Sequence, residues 1–421
     1  MSELIMAEDI PPAAREEAAS GDEYRPELRG DTRSDAHSAS PATDIERQPG
    51  VRTDPWTPPE CGGGQWRPDA SGRSAPFYRQ AYAAIDLGTN NCRLLIARPS
   101  GDSFLVIDAF SRVVRLGEGL AQSGRLSQEA MDRTLGALHV CADKLKRRNV
   151  HLARSVATEA CRRATNGPEF INKVRCETGI VLDIISAQEE ARLAVLGCHI
   201  LLEQGDGPAM IFDIGGGSTE LVLVENDGGV VPQIRDWKSV PWGVVSLTET
   251  CANEGHDPDG DHIARAARYA RMRELVRDSF ADFAARIASK RSSAPAHTLR
   301  LLGTSGTVTT LASVHLELPQ YDRSAVDGLI VPAESMRDIS GRLSSMTPDQ
   351  RRALPCIGRE RSDLVVAGCA ILETILDLWP ADRLGVADRG IREGILRGLM
   401  AAGGSAERSR TALRDRKRGI V

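Results

Sequence analysis

The chain has 421 residues, 41% of them hydrophobic and 26% charged, a composition that suits a soluble protein of two or three domains and not one core. Lys and Arg number 53 against 58 Asp and Glu, a net charge of −5, so wrapping of duplex DNA is not expected and no sequence-specific nucleic-acid partner is assigned. The longest apolar stretch, Leu364–Trp379, is broken by Glu373 and Asp377 and falls short of the roughly 20 residues of a membrane span, so no membrane partner is expected either.

Residues 1–77 hold 10 of the 22 prolines and only eight Ile, Leu, Met or Val. Such a stretch buries too little apolar surface to offset its ordering entropy and reads as a disordered N-terminal extension. Its start, with Glu3, Glu8 and Asp9, has neither the basic flank nor the apolar run of a secretory signal. Nine cysteines, odd in number and without a Cys-x-x-Cys pair, favour single reduced thiols over disulfides or structural zinc, and with them a cytoplasmic location.

From Tyr82 the apolar pattern becomes regular. Tyr82–Asp86, Arg93–Ala97 and Phe104–Ala109 read as strands, Leu126–Lys146 as a helix, Ser155–Ala157 as a strand, Pro168–Thr178 as a helix, Val181–Ser186 as a strand and Ala187–Glu203 as a helix. The pattern then restarts. Ala209–Asp213, Glu220–Val224 and Val230–Trp237 are expected strands, followed by long helices around Asp261–Ser289. Leu299–Leu302 and Leu384–Val386 add short strands, and helices are expected over Ser335–Leu343, Ser362–Leu378 and Gly390–Met400. The alternation predicts an α/β protein with mixed sheets. Residues 78–203 would form one lobe and 204–402 a second. Residues 403–421, with six basic side chains between Arg408 and Arg418, would be a flexible basic tail.

The two restarts superpose. Ile85-Asp86-Leu87-Gly88-Thr89-Asn90-Asn91-Cys92-Arg93 aligns with Phe212-Asp213-Ile214-Gly215-Gly216-Gly217-Ser218-Thr219-Glu220 at a constant offset of 127 residues. Each copy is an apolar strand ending in Asp, a small-residue turn and a second apolar strand, which indicates a duplicated domain with two lobes facing across a cleft. Small residues at Gly88–Asn91 and Gly215–Ser218 let backbone N–H groups converge on an anion. Carboxylates there would repel a bare phosphate, so their natural task is to hold Mg²⁺, with its water shell, against phosphate oxygens. On this reading Asp213 and Glu220 serve the metal, with Asp86 as the symmetry-related candidate. Arg93 occupies the position of Glu220 in the other copy and suits bidentate phosphate binding. A third turn, Gly303-Thr304-Ser305-Gly306-Thr307, opens a helix and offers further phosphate contacts through Gly303, Ser305 and Gly306.

These segments, together with Thr158-Glu159-Ala160-Cys161-Arg162, Ser186-Ala187-Gln188-Glu189-Glu190-Ala191-Arg192 and Asp388-Arg389-Gly390-Ile391-Arg392-Glu393-Gly394, resemble the exopolyphosphatase/guanosine pentaphosphate phosphohydrolase (Ppx/GppA) family in order and spacing, over about Tyr82 to Met400. The resemblance implies a two-lobed fold of the actin/Hsp70/sugar-kinase (ribonuclease H-like) type with the active site between lobes. It also implies hydrolysis of terminal phosphate from inorganic polyphosphate or of the 5′-phosphate of guanosine pentaphosphate. The chain ends soon after the second lobe and looks like the family's short form; family behaviour also suggests a homodimer.

Glu190 matches the family's catalytic glutamate and is expected to orient and deprotonate the attacking water. The alternative is structural, because Ser186-x-x-Glu189 has capping-box spacing; Glu189 suits that role better. Arg162 matches the family's phosphate-facing arginine. Asn91 replaces the family's usual Ser, which bears on substrate preference. Two other classes are an ATP-dependent kinase of the same fold, which would need an adenosine site and an acceptor-activating Asp, and a non-catalytic sensor of guanosine polyphosphates, for which Glu190, Asp213 and Glu220 would be superfluous.

Overall fold

The computed structural model describes residues 77–417 except 102, 206, 254–259, 292–298 and 359–360, so the expected N-terminal extension, save Phe77, lies outside the described residues. Two mixed sheets organise the rest. The first contains β1 (Ala81–Leu87), β2 (Asn91–Ser100), β3 (Ser103–Val113), β4 (Val150–Ala157) and β5 (Leu182–Ile184) in the order β3-β2-β1-β4-β5. The second contains β6 (Ala209–Ile214), β7 (Thr219–Glu225), β8 (Gln233–Val240), β9 (Arg300–Thr304), β10 (Ile330–Pro332) and β11 (Arg383–Ala387) in the order β10-β11-β9-β6-β7-β8. In both, the central strand, first in its lobe, pairs antiparallel with the second strand of the lobe and parallel with the fourth. Removing edge strand β10 leaves the same order and directions twice, the duplication anticipated from the 127-residue offset. The fold is therefore two ribonuclease H-like lobes of the actin type.

Central strands explain the short continuous apolar runs. In β1 and β6 helices cover both sheet faces, so Tyr82–Ile85 and Ala209–Phe212 are buried without alternation. Edge strand β3 is mostly exposed. On the first sheet the Gln128–Arg147 helix, N-capped by Ser127 Oγ accepting from Ala130 N at 3.2 Å, lays Leu135, Leu138 and Leu145 against β1 and β2 alongside Phe170 and Val174. In the second lobe the Val365–Leu378 helix is buried from Val365 to Leu376. It packs with Phe280, Phe283 and Trp379, and its all-round hydrophobicity reflects a core helix and not a membrane segment. Among the described residues no helix is long and apolar enough to cross a membrane.

Several boundaries depart from expectation. The Ala187 helix stops at Cys198 and tightens into a 3₁₀ turn over His199–Leu201, short of Glu203. Helix Val244–Asn253, where β-branched residues at 244, 245, 248 and 250 mask the helical period, was not anticipated. β8 begins at Gln233, not Val230. Seven cysteines are free thiols, six of them buried, but Cys176 is disulfide-bonded, against the expectation of reduced thiols throughout.

The largest departure is the closing helix. It runs Ile391–Lys417, through most of the stretch expected as a flexible tail. Although it follows the second sheet in sequence, Ile391, Ile395, Leu396 and Met400 pack against Tyr82, Ala84, Leu95 and Ala97 of the first. It crosses the Ala187–Cys198 helix, whose Leu193 and Ala194 face the first sheet while Ala191, Val195 and Cys198 face the second. Glycines allow that crossing: a Cβ on Gly394 would collide with the Leu193 carbonyl, and one on Gly197 with the Gly390 carbonyl. Two helices therefore brace the lobes on the side that carries the cleft.

Gly394→Ala should lower stability by about 1–3 kcal/mol through overpacking at this crossing, read as a shift in the urea unfolding midpoint. Gly398→Ala, four residues on in the same helix with nothing within 4 Å of its virtual Cβ, should raise stability by about 0.5–1 kcal/mol. Equal effects at the two positions would remove the crossing as the reason for Gly394.

Candidate active site

The turns after β1 and β6 adopt the same local geometry. Gly88 N donates to Asn91 O at 2.9 Å and Gly215 N to Ser218 O at 3.0 Å, the same bond 127 residues apart. Each turn is held from behind by the segment after the third strand of its lobe. Gly117 N donates to Thr89 O, and Val114 N and Arg115 N donate to Asn90 O, at 2.9–3.0 Å; Val244 N and Val245 N donate to Gly215 O and Gly216 O at 2.9 and 2.8 Å. The turn carbonyls are thereby committed. The N–H groups of Thr89, Asn90, Gly216 and Gly217 have no acceptor among the described residues, leaving four backbone donors for an anion.

The two turns touch. A Cβ on Gly217 would lie 2.5 Å from Thr89 Oγ1 and one on Gly216 3.1 Å from Thr89 Cβ, so glycine permits this approach. They line a cleft with a cavity volume of about 140 Å³, closed on other sides by Ser305 and Gly306 and by the loop Asp388–Gly390 with the first residues of the helix that follows it. Ser305, at φ 84°, turns β9 into the Gly306–His315 helix and ties the turn to β6 by donating from Oγ to Ile214 O at 2.5 Å. Left-handed backbone at a serine is strained and is held here by that bond.

Six carboxylates of the described residues line the cleft, four of them among the expected site residues. Asp86 and Asp213 end β1 and β6, Glu220 sits across from Asp213 in the β6–β7 register, and Glu190 lies in the first turn of the Ala187–Cys198 helix. Burial raises Asp213 to about 6 and Glu220 to about 7, with repulsion from Asp86 and Asp213 respectively adding to it. Glu220 is partly compensated by Ser218 Oγ and Ser239 Oγ, which donate to its Oε1 at 2.7 and 3.0 Å. Burial also raises Asp86, against the pull of Arg93 and Arg392. Glu190 is 7% exposed; burial and then Glu220 push its pKa well up, while Arg162 draws it back.

Glu189 and Glu190 separate as their spacing suggested. Glu189 N donates to the capping Ser186 Oγ at 3.2 Å, but its carboxylate pairs with Arg154 and Arg192 instead of closing a capping box. Glu190 points the other way, into the cleft.

Two of the expected phosphate contacts lie elsewhere. Arg162 does not line the cleft. Its guanidinium donates to Glu190 Oε2 at 3.0 Å, Glu159 Oε2 at 2.5 Å and Ile185 O at 2.8 Å, so it is engaged by two carboxylates and a carbonyl. Gly303 is inside β9, where a Cβ would press on the Phe212 ring at 2.6 Å and on Val308; its smallness serves packing. The other expected side chains and turns line the cleft, joined by Glu159, Asp388, Arg361 and Arg392, to which no role had been assigned. Asp388 and Arg392 belong to a run singled out by resemblance alone. Arg361, which donates to Thr310 Oγ1 at 3.1 Å, carries no local signal in the sequence.

No group of three His, Cys, Asp or Glu among the described residues is arranged to ligate a metal by itself. The donor set nonetheless fits Mg²⁺, which takes one or two carboxylates and completes its shell with water and phosphate. Buried carboxylates that repel one another gain most from a divalent cation, and Asn90 Oδ1 is buried without a hydrogen-bond partner beside them.

Comparison with known proteins matches residues 95–402 to the Ppx/GppA phosphatase family. Exopolyphosphatase 2 of Mycobacterium tuberculosis is 32% identical over 327 residues, covering 74% of this chain and 96% of that protein. The guanosine-5′-triphosphate,3′-diphosphate pyrophosphatase of Aeromonas salmonicida is 27% identical over 332 residues, covering 79% of this chain and 62% of that one. The crystal structure of the Aquifex aeolicus Ppx/GppA family member is similar with a TM-score of 0.61 at 27% identity, over 77% of this chain and 98% of that one.

The carboxylate cluster makes stability depend on pH and cations. Asp213 and Glu220 have folded-state values above their ordinary 3.8 and 4.5, so their contribution is fullest below those values and is lost as pH rises through 6 and 7. In a chelator the urea midpoint should fall between pH 5 and pH 8, and millimolar Mg²⁺ at pH 8 should restore it. Glu220→Gln should recover about 2–3 kcal/mol of the loss and blunt the response to Mg²⁺. A fall unchanged by that substitution would place its origin elsewhere.

Proposed function

The chain belongs to the Ppx/GppA phosphatase family, and from that premise we propose that it is an exopolyphosphatase that removes terminal phosphate from inorganic polyphosphate in an Mg²⁺-dependent hydrolysis. The observation that carries the reading is the opposition of Glu190, a buried carboxylate held by Arg162, to two glycine turns whose N–H groups await acceptors.

In this reading the Gly88–Asn91 and Gly215–Ser218 turns grip successive phosphates with backbone N–H groups, and the Ser305–Gly306 turn closes a third side. Bound Mg²⁺ would neutralise phosphate charge, with Asp213 and Glu220 as its protein ligands or water acceptors and Asp86 as the further candidate. Glu190 orients a water in line with the leaving oxygen and takes its proton. Arg162, with Glu159 behind it, fixes the carboxylate's direction. Fixed donors around the transferred group stabilise its spreading charge without reorganising, the largest source of rate in such sites. Guanosine pentaphosphate presents the same terminal anhydride, and the Aeromonas salmonicida relative keeps it as the second reading.

Purified chain should release phosphate from polyphosphate with Mg²⁺, faster than from guanosine pentaphosphate or ATP. Glu190→Gln should lose at least ~100-fold in rate while still binding polyphosphate. Faster release from guanosine pentaphosphate would exchange the two readings, and equal rates for both proteins would take Glu190 out of the mechanism.

A further inference from the structure

Arginines around the cleft divide into committed and uncommitted. Arg162 is bonded to Glu159 and Glu190, Arg389 to Asp327 at 2.6 Å, Arg361 to Thr310, and Arg323 to the Asp388 carbonyl and to Glu393 at 2.6 and 2.9 Å. Arg93 on β2 and Arg392 at the start of the closing helix both line the cleft, and neither has a hydrogen bond or an ion pair among the described residues.

Arg392 does not lack acidic neighbours; they are engaged elsewhere. Glu393 Oε1 accepts from Arg323 and its Oε2 accepts from Gly390 N at 2.9 Å. Asp388 Oδ2 pairs with Arg323 Nε at 3.1 Å. Asp86 is left, within electrostatic reach of Arg392 and Arg93 alike but bonded to neither. The two guanidinium groups also lie close enough to repel. Like charges without partners in a desolvated wall are costly unless an anion sits between them.

We propose that Arg392 is a substrate-binding residue, which with Arg93 on β2 forms a two-guanidinium clamp on one phosphate group of an anhydride-linked chain. The inference rests on the phosphohydrolase reading and deepens it. Arg93 reaches the cleft from the first sheet and Arg392 from the closing helix that packs on that sheet, so a phosphate between them would join the helix start to β2. Each planar fork presents paired N–H donors to non-bridging oxygens, a geometry that lysine lacks. The competing role for Arg392 is structural, as a counter-charge for Asp86.

Tripolyphosphate binding to the full-length chain, measured calorimetrically with Mg²⁺, distinguishes them. Arg392→Met should weaken affinity ~10–100-fold, the range for losing hydrogen bonds to a charged group, and raise KM for polyphosphate in parallel while kcat moves less than ~3-fold. Arg392→Lys keeps the charge beside Asp86 and guards against misfolding; it should retain the wild-type melting temperature yet lose part of the affinity. Arg93→Met should cost less in the Arg392→Met background than in the wild type, because the two groups share one ligand. Unchanged affinity in Arg392→Met, or full affinity in Arg392→Lys with kcat alone reduced in Arg392→Met, overturns the clamp in favour of the Asp86 role. A wild type that binds tripolyphosphate and releases no phosphate sinks the hydrolase reading, while the variants' affinities still decide Arg392.

Discussion

Mutual repulsion among buried carboxylates is the constraint around which this molecule is arranged. Asp86, Asp213, Glu220 and Glu190 come from four separate elements and meet where water is scarce, and burial raises all four. Such a cluster is tolerated only because its neighbourhood supplies compensation. Serine hydroxyls hold Glu220, Arg162 holds Glu190, and arginines lie within reach of Asp86. What remains uncompensated is carboxylate charge in a desolvated cleft.

The lobe architecture was legible because strand-ending aspartates and glycine turns are local features with a fixed register. Asp86 faces Arg93 and Asp213 faces Glu220 across their hairpins, as the 127-residue offset required. Turn chemistry of this kind depends on a few adjacent residues, and sequence displays it directly. Glu190 was separable from Glu189 for a similar reason: a helix's first turn directs consecutive side chains about 100° apart, so one meets the cap and neighbouring arginines while the other enters the cleft.

What stayed hidden depends on contacts between distant segments. Arg162 and a phosphate-binding arginine look alike in sequence; only the fold shows that Glu159 and Glu190 take up its guanidinium. Gly303 sits in a glycine turn by pattern and in a strand by packing, because the Phe212 ring takes the space a side chain would use. The Val244–Asn253 helix was obscured by β-branched residues, yet its first N–H groups hold the second turn in place. The closing helix shows the same limit on a larger scale. Nothing near Ile391 in the sequence says that it will return to a sheet begun more than three hundred positions earlier.

That return has a consequence for how the polypeptide matures. Tyr82, Ala84, Leu95 and Ala97 present one face of the first sheet, and the partners that cover it include Ile391, Ile395, Leu396 and Met400. During synthesis this face leaves the ribosome long before its cover has been translated. The first lobe must wait as an unfinished half, exposed to chaperones or to self-association, until that helix emerges. The cleft wall bearing Arg392 belongs to the same segment, so the cover of the first sheet and that wall are completed together.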